Sequence, residues 1–176
     1  MIILPNKTLA MTNKSAPHIL YETKLNWLSA DRGILHARGV NGPVYVTTPL
    51  EFGGSGKEWS PEHLFLSSII SCYMSTFLSF AKKYNFTITH FECSAIGEIE
   101  PIAGKYKFTR VNIYPKIYIA GESLREKAET AIQKTQQYCL ISNSINAAII
   151  YHSQVLTEHH SLQADPKNTE EETFAS

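Results

Sequence analysis

An excess of charge of either sign is missing from this chain: sixteen lysines and arginines balance sixteen aspartates and glutamates, and no basic stripe is visible. Nucleic acid or an anionic membrane is therefore not expected as the main partner, and the substrate is expected to be small and weakly charged. Cysteine is scarce and odd in number. The three residues lie far apart, with no C-x-x-C pair and no cluster of histidine and cysteine, so neither a disulfide scaffold nor a zinc site is indicated. Free thiols point to a reducing, cytoplasmic setting. The apolar patch Ile2, Ile3 and Leu4 before Pro5 is too short for a signal peptide. A phosphate loop is lacking as well. In Gly53-Gly54-Ser55-Gly56-Lys57 the glycine required five positions before Gly56 is Glu51, and Lys57 is followed by Glu58.

What the chain does have is a long helix without charge. Ser60 is a hydroxyl N-cap, Pro61 suits the first helical position, and Glu62 sets a negative charge against the free N–H groups of the first turn. From Leu64 to Ala81 no residue is charged, and large apolar side chains occur on every side, so the helix is expected to be buried nearly all round. Ser67, Ser71, Ser75 and Ser79 form a row of small residues, with Ser68, Cys72 and Thr76 beside it. That side is expected to meet another helix. The run has the minimal length of a membrane span, but it contains six hydroxyls, has capped flanks and has no second run to accompany it. A core helix is the better reading.

At 176 residues and 43% hydrophobic content the chain supports one domain, expected over residues 19–156. Residues 1–18 read as a loose lead-in, and residues 157–176 as a disordered acidic tail whose His159 and His160 are solvated rather than metal-binding. Tyr21 to Leu28, Ile34 to Arg38 and Val44 to Thr48 read as a three-stranded meander. After the helix, Phe91, Cys93 and Ala95 alternate with polar neighbours, which puts Cys93 on the core face of a strand. Lys105 to Ile119 is its partner, with Pro115 predicting an edge or a bulge. Glu122 to Tyr138 is a second helix, with Ala128 and Ala131 small enough to sit against the row on the first. Ile141 to Asn146 follows as a turn, and Ala147 to Val155 as one final strand.

Packing of the two helices would bring Cys139 towards Cys72, and two thiols are the minimum set for reversible oxidation. The thiolate is the reactive form, so one sulfur needs a lowered pKa. Cys72 lies eleven residues past Pro61, beyond the reach of its own helix dipole, so a cation, best an arginine, is expected to activate it. Cys139 sits at a helix C-terminus, which disfavours its thiolate. Cys72 is then the attacking sulfur and Cys139 the resolving one. The plainer alternative is two unrelated core cysteines.

The segments SPEHLFLSSIISC and YCLISNSINAAI resemble the two cysteine segments of the osmotically inducible protein C and organic hydroperoxide resistance family, and the resemblance spans roughly Tyr21 to Leu156. It implies an α+β, OsmC-like fold: an intertwined homodimer whose long helices are enclosed by curved antiparallel sheets, with active sites at the subunit interface. It also implies a thiol peroxidase of oxidative stress defence that takes organic hydroperoxides, with hydrogen peroxide as a further substrate. Carried over by position, Cys72 matches the peroxidatic cysteine, Cys139 the resolving one, and Glu62 the glutamate that orients a catalytic arginine. Arg32 aligns best with that arginine, with one residue of slippage, and Arg38 is the alternative. No metal, flavin or haem is implied; an external dithiol, often a lipoyl group, restores the enzyme. One departure stands out: Leu140 follows the second cysteine where the family usually has proline. The competing expectations are a non-catalytic member of the same fold that binds a small apolar ligand at the dimer interface, and a plain structural dimer.

Overall fold

The helix that dominates the chain begins where the cap residues place it. In the computed structural model, which describes residues 18–157, α1 (Pro61–Lys83) starts at Ser60, whose Oγ accepts from the His63 N–H at 3.3 Å while His63 Nδ1 accepts from the Ser60 N–H at 3.2 Å. Histidine here closes the reciprocal box that glutamate or glutamine usually closes. Lys82 and Lys83 occupy the last turn, complementing the negative end of the helix. Asn85 then turns left-handed at φ 53°, with Asn85 N–H on Lys82 O at 3.2 Å and Phe86 N–H on Ala81 O at 3.1 Å. This paired closure lets Phe86 fold back onto Ala81 in the core. The expected lead-in before residue 18 and the acidic tail after residue 157 lie outside the described residues.

Contacts divide the chain between Glu58 and Trp59 into two units. The first is the meander β1 (Thr23–Ser29), β2 (Arg32–Ala37) and β3 (Val44–Thr47), antiparallel in the order β1-β2-β3. The glycine-rich stretch after it is held by a carboxylate, not prepared for a phosphate: Asp31 Oδ2 accepts from the Ser55 N–H at 2.9 Å and from the Thr47 hydroxyl at 2.5 Å. Those bonds, Thr47 first and Ser55 second, hold the Asp31 carboxyl below its ordinary range. Gly54 passes so close to the preceding strand end that a Cβ there would lie 1.8 Å from Thr48 O.

The second unit pairs α1 with a mixed sheet. Strands β4 (His90–Ile102) and β5 (Lys105–Ile119) form a long hairpin, closed by Ala103 and Gly104 at φ 50° and 76°, the left-handed pair that a two-residue turn requires. From β5 the chain crosses over through a turn of 3-10 helix at Glu122–Leu124 and α2 (Arg125–Tyr138) to β6 (Ala148–Tyr151), which pairs parallel with β5. After a break at His152 and Ser153, β7 (Gln154–Thr157) pairs parallel with the rest of β5. One final strand was expected; the structure has two, and because both pair parallel with β5 the sheet is not wholly antiparallel.

Pro115 also differs from expectation. It lies inside β5, a central strand with β4 on one side and β6 and β7 on the other, and the register slip falls at Glu98/Ile99 instead. The reason is the direction of its missing donor. Ile113 O accepts from the His152 N–H at 2.8 Å, and alternate residues of a strand turn their backbone groups the same way. The absent N–H of Pro115 therefore points at the break between β6 and β7, where no ladder bond is lost.

The core is built on one stripe of α1: Ile69, Tyr73, Phe77 and Ala81 recur every four residues and are buried. Tyr73, Phe77 and Ala81 pack with Ile117 and Ile119 of β5 and with Ala128 and Ala131 of α2. Burial of α1 on all sides does not occur in the single chain. Met74 and Leu78 are 40% and 42% exposed, and Ser71, Ser75 and Ser79 face outward, their hydroxyls bonded to carbonyls three or four residues back. The first small row is thus not the contact with α2, and Ala128 and Ala131 meet the aromatic stripe instead. Phe77, fully buried against Phe86 and Phe91, anchors the packing. Phe77→Ala is expected to lower stability by about 3–5 kcal/mol in denaturant unfolding, because the surrounding strands and helices cannot collapse into the space.

Candidate active site

Cys139 is where α2 stops. Its N–H still bonds Thr135 O at 2.9 Å, but its backbone turns extended (φ −63°, ψ 113°), and its own carbonyl accepts from the Asn143 N–H at 3.0 Å. Residues Cys139 to Ser142 thus curl back into a turn of 3-10 helix at Ser142–Ser144. The thiol is fully buried, and Sγ accepts a hydrogen bond from the Ser142 hydroxyl at 3.2 Å.

Cys72 lies three turns into α1, on the second small row, half-buried. The turn after α2 meets it there. Burial pushes the Cys72 thiol up, but donors to its sulfur outweigh that effect: the Ile141 N–H, the Cys139 thiol, the Thr76 hydroxyl and the Leu140 N–H. Thr76 Oγ1 stands 4.0 Å from Cys72 Sγ, one helical turn on. The net shift is down. Cys139 goes the other way, raised by burial and by the neighbouring Cys72, with the Ser142 hydroxyl and N–H opposing. Of the two sulfurs Cys72 is therefore the one whose thiolate is favoured. Cys93 belongs elsewhere: it packs on the core face of β4, and burial pushes its thiol up to about 12.

The other expected residues fall as follows. Arg32 opens β2, and its guanidinium is bonded to Glu58, with Nε 3.1 Å from Oε1. Arg38 lies past the far end of β2, exposed, its backbone N–H on Glu22 O at 3.2 Å. Glu62 sits half-buried in the first turn of α1, and its Oε2 has no hydrogen-bond partner among the described residues. The structure brings Cys72 and Cys139 together and gives Arg32 a carboxylate, Glu58, that sequence reasoning passed over. It also missed the N–H groups of Leu140 and Ile141, Thr76 and Ser142. Thr76 was legible as the i+4 neighbour of Cys72. The backbone donors were not, since any residue type but proline supplies them. Leu140 is the informative case, because proline at that position would have no N–H to offer.

Among the described residues no three histidine, cysteine, aspartate or glutamate side chains converge as metal ligands. An open cavity of about 530 Å³, lined by Leu78, Lys82, Phe86 and Ile88 among others, lies at the far end of α1. At the rise of a helix its α1 residues are roughly 9–15 Å along the axis from Cys72.

Two thiol measurements follow. In native protein at neutral pH, a small alkylating reagent should modify Cys72 well ahead of Cys93, with a pH midpoint below that of an ordinary cysteine. Leu140→Pro should move that midpoint up, because one donor to the thiolate is lost; an unmoved midpoint would show that the Leu140 N–H does not act on Cys72.

Comparisons with known proteins bear on the fold. A structure of an OsmC-like protein of unknown function from Vibrio cholerae superposes with a TM-score of 0.70 at 18% identity, covering 78% of this chain and 100% of its own. An organic hydroperoxide resistance protein from Elizabethkingia anophelis, solved with thiocyanate bound, gives 0.63 at 20% identity over 81% of this chain and 99% of its own. One from Legionella pneumophila, also called OsmC, gives 0.60 at 18% identity over 80% and 99%. No curated protein sequence matches significantly. At these identities the structures speak for the fold, which is OsmC-like and α+β. The description "OsmC-like protein" matches residues 54–152, more than half of the sequence and inclusive of both Cys72 and Cys139, and the chain belongs to the OsmC-like family.

Proposed function

We propose that the chain is a thiol peroxidase that reduces organic hydroperoxides in oxidative stress defence, with Cys72 as the attacking sulfur and Cys139 as the resolving one. The observation that carries this is the pair itself, two free thiols on different elements that shift each other's pKa in opposite directions. The names of the Elizabethkingia and Legionella relatives support it.

In the proposed cycle the Cys72 thiolate attacks the distal oxygen of the hydroperoxide; the O–O bond breaks, the alkoxide takes a proton and leaves as an alcohol, and Cys72 becomes a sulfenic acid. Cys139 then displaces the sulfenic oxygen, the S–S bond forms, and water leaves. An external dithiol, a lipoyl group being one candidate, reduces the disulfide. Arg32 and Glu62 are assigned by family position: the guanidinium binds peroxide oxygen and Glu62 orients it. Hydrogen peroxide is a further substrate of the same chemistry. The proposal includes a homodimer, supported by the uncharged outward face of α1 with Met74, Leu78 and the serine row. It also includes a cytoplasmic location, where thiols stay reduced.

The test is peptide mapping by mass spectrometry after one equivalent of an organic hydroperoxide. A Cys72–Cys139 disulfide with Cys93 free is expected. Cys72→Ser should lower peroxide turnover on the order of 1000-fold or more, whereas Cys139→Ser should keep the first oxidation and accumulate overoxidised Cys72. Retained turnover in Cys72→Ser would overturn the assignment. Unmodified thiols in the native protein would point instead to a non-catalytic member of the fold that binds a small apolar ligand.

A further inference from the structure

One polar group beside the cysteine pair has no part in that cycle. Ser142 donates its hydroxyl to Cys139 Sγ at 3.2 Å, and that bond opposes the rise that burial imposes on the Cys139 thiol. The turn that carries it is pinned on both sides: Asn143 N–H bonds Cys139 O at 3.0 Å, Asn143 Nδ2 bonds Gln137 O at 2.9 Å, and Ser144 N–H bonds Ile141 O at 2.9 Å.

Cys139 needs such help. Its thiol is fully buried, at the carbonyl end of α2, where negative charge is disfavoured. Among the described residues the titratable groups that act on it are Cys72 and Tyr73 of α1 and Tyr151 of β6, none of which is a cation. Yet disulfide formation requires this sulfur to attack as a nucleophile, and thiolate character governs that step.

We propose that Ser142 is the positioning residue of the second half-reaction: its hydroxyl holds Cys139 Sγ towards Cys72 and stabilises the negative charge that grows on that sulfur during attack. This inference rests on the peroxidase proposal. In the step, the Cys139–Cys72 S–S bond forms and the S–O bond of the Cys72 sulfenic acid breaks. The sulfenic sulfur is reduced, the Cys139 sulfur is oxidised, and the departing hydroxide takes the Cys139 proton to become water.

The experiment compares the native protein with Ser142→Ala and Ser142→Thr under two oxidants. An organic hydroperoxide makes the sulfenic acid on Cys72. A diazenedicarboxamide such as diamide makes a covalent adduct on Cys72 without peroxide chemistry, and Cys139 resolves it with release of the hydrazine. Rapid quench, with a 1,3-dione trap for sulfenic acid and mass spectrometry for disulfide, separates the two steps. In Ser142→Ala the ratio of the disulfide rate to the first-step rate should fall about 10- to 100-fold, the loss of a hydrogen bond to a charging group. The pH midpoint of the disulfide step should also rise, and Ser142→Thr should restore both. An unchanged ratio and midpoint in Ser142→Ala, or a Ser142→Thr variant as slow as Ser142→Ala, would overturn the inference. If hydroperoxide leaves the native thiols free, the peroxidase proposal falls, and the diamide arm alone then decides the part played by Ser142.

Discussion

The site depends on one contact: the turn that follows α2 lies against the middle of α1, at Cys72. Nothing within α1 could lower that thiol's pKa enough, because the helix's own N-terminal field fades within its first turn. All the donors but Thr76 come from a segment almost seventy residues away in sequence, so the lowered pKa depends on α2 being seated correctly. That seating is set by Ala128 and Ala131, small enough to let α2 approach the stripe of Tyr73 and Phe77, and by Ile117 and Ile119 beneath. The crossover from β5 through α2 to β6 then forces the chain to turn back at Cys139 to reach the sheet. Packing and site geometry are the same constraint seen at two scales.

Neutral donors suffice for the first sulfur. A hydrogen bond to a charged acceptor contributes about 1.5–3 kcal/mol, and a pKa unit corresponds to about 1.4 kcal/mol, so a few such bonds offset the burial of a half-exposed thiol. The Ile141 and Leu140 N–H groups, with the Cys139 thiol and Thr76, supply them. An arginine would add to this rather than create it. Its value in the proposed cycle lies with the peroxide oxygen, which needs a donor that the backbone turn does not offer.

Much of the fold was legible in the sequence. The cap at Ser60 and Pro61 and the period-two pattern around Cys93 each follow from local chemistry, and α1 and β4 form where those signals place them. The errors were long-range. Pro115 reads as an edge signal in isolation, but its missing donor meets a gap between β6 and β7 that no local pattern encodes. The uncharged run in α1 reads as burial on every side, whereas one chain covers only the stripe from Ile69 to Ala81. At the site the two cysteines were legible through their placement on successive helices. Glu58 as the partner of Arg32 was not, because loop conformation rather than spacing brings that carboxylate to the guanidinium.

The unequal burial of the two sulfurs also gives the proposed cycle a direction. A disulfide is neutral, so forming it removes the charge that the apolar surroundings disfavour, and the oxidised pair is well suited to its site. Reduction must then enter from outside, and only one sulfur is reachable: Cys72 is half-buried, whereas Cys139 is fully enclosed. In the proposed cycle an external dithiol would therefore attack Cys72, and Cys139 would leave. The leaving sulfur departs faster the better its charge is held. The donor that holds it is the Ser142 hydroxyl, the same group that faces it when it attacks. One serine in one turn thus acts on both the closing and the opening of the bond, by holding the same charge on the same atom in either direction.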